Sequence, residues 1–98
     1  MLPVRLRPEA LAELTGAWAW YEDQRPGLGD DFRACVDEAI ASISLDPLVH
    51  SVVGANVRRG LVRRFPYGVF YLVEPDHIEV LAVFHAAREP RNWRERVG

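Results

Sequence analysis

The hydrophobic positions change period along the 98 residues. Residues 3–7 alternate, placing Val4 and Leu6 on one face of a short strand. From Leu11 the spacing turns helical: Leu11, Leu14, Trp18 and Tyr21 form an apolar stripe. Pro8 suits the first turn of this helix and Glu9 the positive end of its dipole, while Pro26 and Gly27 must end it. A second helix is expected from the "GDDF" stretch, capped by Asp30 or Asp31. It carries Phe32, Val36, Ala39, Ile40 and Ile43 on one side and runs out at 45–47. So short a connection predicts an antiparallel helical hairpin.

Residues 46–56 read as a loop with His50 on its surface. Three β segments follow, at 57–65, 69–73 and 77–85, separated by turns at 66–68 and 74–76. The expected fold is α+β: an antiparallel four-stranded sheet, with the 1–7 strand at its edge, covered on one face by the N-terminal helical hairpin. The order is β-α-α-β-β-β with a short C-terminal segment, in a single domain spanning 1–98. The last two strands are apolar on both faces, and two helices cover only one of them. The C-terminal segment, a second copy or a partner chain is needed for the other.

Composition narrows the class. With 49% hydrophobic and 27% charged residues the chain is a folded domain rather than a disordered one. No stretch approaches the ~20 apolar residues of a membrane span, and no signal peptide is recognisable, so the protein is expected to be cytoplasmic. The lone Cys35 cannot form an internal disulfide and lies among apolar helical positions, which makes it a core residue. No metal or cofactor is expected.

Charge is uneven. Residues 1–50 hold 4 Arg against 9 acids, a net of −5, and residues 51–98 hold 8 Arg against 5 acids, a net of +3. All 12 basic residues are Arg, with no Lys. The excess in the second half suits an anionic partner as well as a solvated face. Arg58, Arg59, Arg63 and Arg64 alternate across the 57–65 segment and should point to both faces of the sheet. The strand "VLAVF" then breaks into His85, Arg88, Arg91 and Trp93, a positive and aromatic rim suited to gripping a protein or a nucleic-acid backbone. Each has a structural alternative: His85 bonded to a carbonyl, Arg88 paired with Glu89, Trp93 closing the core.

The element order, the "LG-x-x-F" stretch at 28–32, "RRFPY" at 63–67 and "H-x-x-R-x-P-x-x-W" at 85–93 together resemble the RelE/ParE superfamily of bacterial toxins. The likeness spans nearly the whole chain and falls on the ParE-like, plasmid-stabilisation branch. It implies a type II toxin neutralised by a cognate antitoxin of ParD-like or similar kind, in a hetero-tetramer or larger assembly. That antitoxin is a natural cover for the second sheet face. Three activities stay open under the resemblance: poisoning of DNA gyrase, ribosome-dependent cutting of mRNA, or antitoxin binding without toxicity.

Chemistry separates the first two. Attack by a 2′-hydroxyl needs a base, an acid and positive charge on the phosphorane, and arginine supplies only the charge. RelE-like nucleases carry lysines on the strand matching 57–65, where this chain has none, and an arginine where it has Gly68. Arg88 alone matches, with Trp93 near the position of their tyrosine. If the chain is a nuclease, His85 and Arg88 are its candidate catalytic residues. Otherwise no catalytic residue is assigned, and Arg58, Arg59, Arg63, Arg64, Arg88, Arg91 and Trp93 are the candidates for binding target or antitoxin. Gyrase binding is the expected activity.

Overall fold

The computed structural model describes residues 1–86 and 96–97. Its elements are β1 (Val4–Leu6), α1 (Pro8–Gln24), α2 (Leu28–Leu45), β2 (Val52–Gly54), β3 (Val57–Leu61), β4 (Tyr67–Val73) and β5 (Ile78–His85). They form one five-stranded sheet ordered β1-β5-β4-β3-β2. Two features differ from the four-stranded antiparallel expectation. A fifth strand, β2, lies within the segment read as a loop, and β1 runs parallel to β5, making the sheet mixed. Antiparallel pairing joins β2 through β5 as a meander. The helical hairpin returns the chain to the end of the sheet at which β1 began, so β1 enters alongside the last strand in parallel.

Pro8 occupies the first turn of α1, where its missing N–H costs no hydrogen bond. The buried stripe is Ala10, Leu14 and Ala17, joined by Tyr21, whereas Leu11 and Trp18 face outward. The apolar stripe is thus rotated by one position toward the small residues, which let the helix lie close to the sheet. At α2 the cap also differs from expectation. Gly27 is the N-cap, in the left-handed region at φ 89°, and Asp30 and Asp31 lie in the first turn without capping. The cap comes from α1: the Glu22 carboxylate accepts the N–H groups of Gly27 and Gly29, each at 3.0 Å. A Cβ on Gly29 would stand 2.7 Å from the Trp18 carbonyl oxygen, so only glycine permits this helix contact.

On the helical face, Leu14, Phe32, Val36 and Ile43 pack on Val69, Tyr71, Ile78, Val80 and Val83, with Cys35 buried as expected. The "LG-x-x-F" and "RRFPY" stretches meet here. Phe32 and Tyr21 contact Phe65 and Tyr67 with ring centroids 4.9–6.2 Å apart, so the matching motifs build one aromatic cluster of the core.

A register shift between Phe70 and Tyr71 leaves Leu81 without a partner on β4. Val80 and Val83 thereby face the helices, while Leu81 and Ala82 face the other side. That second face is not open. Val57, Phe70, Leu81 and Ala82 are buried, and Val97 packs against them from the C-terminal segment. Of the three covers considered, the chain's own C-terminal end reaches this face, and an antitoxin is not required for it.

Candidate functional site

Two surfaces bring polar and apolar groups together, at opposite edges of the sheet. The first is a groove of about 670 Å³ between α1 and the part of β5 that extends past β1. Ala17, Tyr21, Tyr67, Val83 and Phe84 line it, with Trp20 and Pro66 at its sides. Past β1, β5 presents unpaired backbone groups, and side chains answer them. The Glu13 carboxylate accepts the Val83 N–H at 3.1 Å. Arg96 donates to the Leu81 carbonyl at 2.8 Å and to both Glu13 oxygens at 3.1 and 2.9 Å. Its guanidinium also lies 4.9 Å from the centroid of Phe84, and Arg7 donates to its carbonyl at 2.6 Å.

Gly16 lines this groove inside α1, and a Cβ there would meet nothing within 4 Å. Mid-helix glycine costs about 0.5–1 kcal/mol relative to alanine, and no packing among the described residues accounts for it. His85, at the end of β5, lines the groove with its ring 5.7 Å from that of Tyr67.

The second surface is the opposite edge, where loop 46–51 leads into β2 and lies beside β3. Arg58 donates to the carbonyls of Leu48 at 3.0 Å and His50 at 2.6 Å, and Tyr71 donates to the Pro47 carbonyl at 2.6 Å. Burial raises the Tyr71 hydroxyl to about pKa 12, so it stays a donor at every physiological pH. These bonds hold the loop backbone. A 300 Å³ depression beside them is lined by Val49, His50, Ser51, Arg59 and Leu61. His50 is half-buried rather than freely exposed, its ring nitrogen 3.4 Å from the Ser42 hydroxyl.

The structure separates the arginines that alternation had placed on one strand. β3 ends at Leu61, and Arg63 and Arg64 fall in the turn to β4, where Arg64 takes φ 74° and the Val62 N–H bonds the Tyr67 carbonyl at 2.9 Å. Arg58 is committed to loop carbonyls. Arg63 forms an exposed ion pair with Glu38 on α2 at 3.1 Å, which lowers the Glu38 pKa through the hydrogen bond and the charge. Arg64 lies 5.8 Å from the Phe65 ring centroid. Arg59 crosses β4 on the second face: a Cβ on Gly68 would stand 3.0 and 3.1 Å from its Cγ and Cδ. Among the described residues no hydrogen bond or ion pair engages the Arg59 guanidinium. Arg88, Arg91 and Trp93 lie outside the described residues.

Glu13, Gly16, Trp20 and Arg96 escaped sequence reasoning. Glu13 and Arg96 stand 83 positions apart, and no local pattern links them; only the glycine inside a helical run was a visible signal. A second side-chain network ties the β4–β5 turn to α1. His77 contacts Asp76 at 2.7 Å and Glu79 at 2.8 Å, and Glu79 pairs with Arg7 at 3.1 Å. The two carboxylate contacts raise the His77 pKa, Asp76 first. Among the described residues no cluster of His, Cys, Asp and Glu is suited to a metal, and no helix is long and apolar enough to cross a membrane.

Comparison with known proteins gives a consistent family. The model of the family described as "ParE toxin of type II toxin-antitoxin system, parDE" matches residues 4–90. Among solved structures, the chromosomal ParDE toxin–antitoxin system from P. aeruginosa superposes with a TM-score of 0.76 at 16% identity, covering 87% of this chain and 96% of that one. No curated protein sequence matches significantly.

Proposed function

The chain belongs to the ParE toxin family of type II toxin–antitoxin systems, and from that membership we propose that it is neutralised by a cognate antitoxin and acts by binding and poisoning DNA gyrase. The observation that carries the choice of binding over RNA cleavage is Gly68 beneath the Arg59 stem. Where the nucleases of the superfamily place a reacting side chain on this strand, the chain has none, and the neighbouring arginine fills the space. Arg58 and Arg63 are already bonded within the chain, and an arginine cannot serve as a general base at neutral pH. Cleavage would require a base and an acid at once, and the sequence has no lysine to serve as either.

The antitoxin's seat in this reading is the α1–β5 groove. Its aromatic lining and the space above Gly16 suit a polypeptide segment lying close to the α1 backbone. The test is induction of the chain in cells with and without the adjacent gene, reading growth and mapping mRNA ends by primer extension. Arrest without new mRNA ends, relieved by the adjacent gene product, is expected. Codon-specific cuts that disappear in His85→Ala would replace this reading with the nuclease one.

A further inference from the structure

The β2–β3 edge carries features that the chain's own packing does not use. Leu48, Val49, Val52 and Leu61 are each more than half exposed, and the loop that carries Leu48 and Val49 is held by Arg58 and Tyr71. An apolar loop fixed in this way presents a preorganised surface. In its midst Arg59 is half-buried, its stem laid over Gly68, and it lines the depression together with His50 and Ser51. Among the described residues no acid pairs with this arginine.

We propose that this edge is the target-binding surface of the toxin, accepting a segment of the target protein in which an Asp or Glu is flanked by aliphatic side chains. The carboxylate pairs with Arg59, and the flanking side chains cover Leu48, Val49, Val52 and Leu61. Charge complementarity selects an acidic segment: the planar donors of the guanidinium match a carboxylate. The position selects the target over the antitoxin. The groove assigned to the antitoxin lies at the other edge of the sheet, so the toxin has one surface for each of two proteins. The inference rests on the reading that the chain acts by binding.

The test compares Arg59→Gln, which keeps the stem over Gly68 and removes the charge, with Leu61→Ser and Arg59→Lys. Each is measured for growth arrest on graded induction, for affinity to the antitoxin and for thermal unfolding. Arg59→Gln and Leu61→Ser should each need about tenfold more toxin for the same arrest. Antitoxin affinity should stay within about twofold and folding should be retained, while Arg59→Lys should recover part of the arrest. Full toxicity in both variants overturns the proposal, as does a parallel loss of antitoxin binding, which would make the antitoxin the occupant. Loss of self-association in the variants would make it a second copy. Growth arrest by the wild-type chain without any effect on gyrase would refute the gyrase reading and leave this comparison intact. A wild-type chain that arrests nothing overturns both.

Discussion

Replacing Glu13 tests how the β5 edge is held. In Glu13→Ala the Val83 N–H loses its acceptor and Arg96 loses both charged contacts, keeping the Leu81 carbonyl and the Phe84 ring. An unpaired strand amide costs about 1–2 kcal/mol. The Arg96–Glu13 pair is partly screened, each side chain retaining 20–23% of its exposure, so its loss adds roughly 1–2 kcal/mol rather than the 3–5 kcal/mol of a fully buried pair. The sum of about 2–4 kcal/mol corresponds to a fall in Tm on the order of 10–20 °C for a domain of this size. Glu13→Gln retains an oxygen for the Val83 N–H and should lose only about half as much. Alanine is the better helix former, so helix propensity opposes the effect. Denaturant unfolding of both variants and of Arg96→Ala, with amide exchange at Val83, measures each part. A Glu13→Ala stability within about 0.5 kcal/mol of wild type, or a Val83 amide protected as before, would refute the edge-capping role.

The other expectations concern packing, pH and the groove. Gly16→Ala should stabilise the isolated chain by about 0.5–1 kcal/mol, since its methyl meets nothing among the described residues, and should weaken antitoxin binding, a pair of opposite signs read by unfolding and calorimetry. Tyr71→Phe should cost about 1–2 kcal/mol by orphaning the Pro47 carbonyl, with faster amide exchange through loop 46–51. His77 faces Asp76 and Glu79, and it can donate to both only as imidazolium. Its raised pKa means its contribution is fully present below the ordinary histidine value and is lost as pH rises through the folded value. The carboxylates of Asp76 and Glu79 are lowered, so theirs is lost as pH falls through their folded values. Thermal unfolding against pH should show the best stability between these limits, and His77→Gln should flatten the alkaline side.

Strong periodicity made both helices legible from sequence, and α2 carries the expected face of Phe32, Val36, Ala39 and Ile43. On α1 the bulky Leu11 and Trp18 dominated the pattern, but close approach to the sheet favours Ala10 and Ala17. β2 is three residues long and exists through its pairing with β3, so no pattern of its own announces it. Alternation in β1 reveals a strand and not its direction, which the parallel pairing with β5 decides. The bulge at Leu81 breaks the alternation on which the two-faced reading of β5 relied. Arg58 and Arg63 carried the charge expected of ligand-binding residues, but their partners are loop carbonyls and Glu38, brought near by the fold. Among the described residues no hydrogen bond or ion pair engages the Arg59 guanidinium, and its stem lies over Gly68.

The function proposed for this ParE-family chain is growth arrest by binding gyrase. The most direct measurement is gyrase supercoiling of relaxed plasmid with increasing amounts of purified chain, with and without the antitoxin. Loss of supercoiling in proportion to the chain, restored when antitoxin is added in equal amount, is the predicted result. Undiminished supercoiling at amounts of chain that arrest growth would contradict the account.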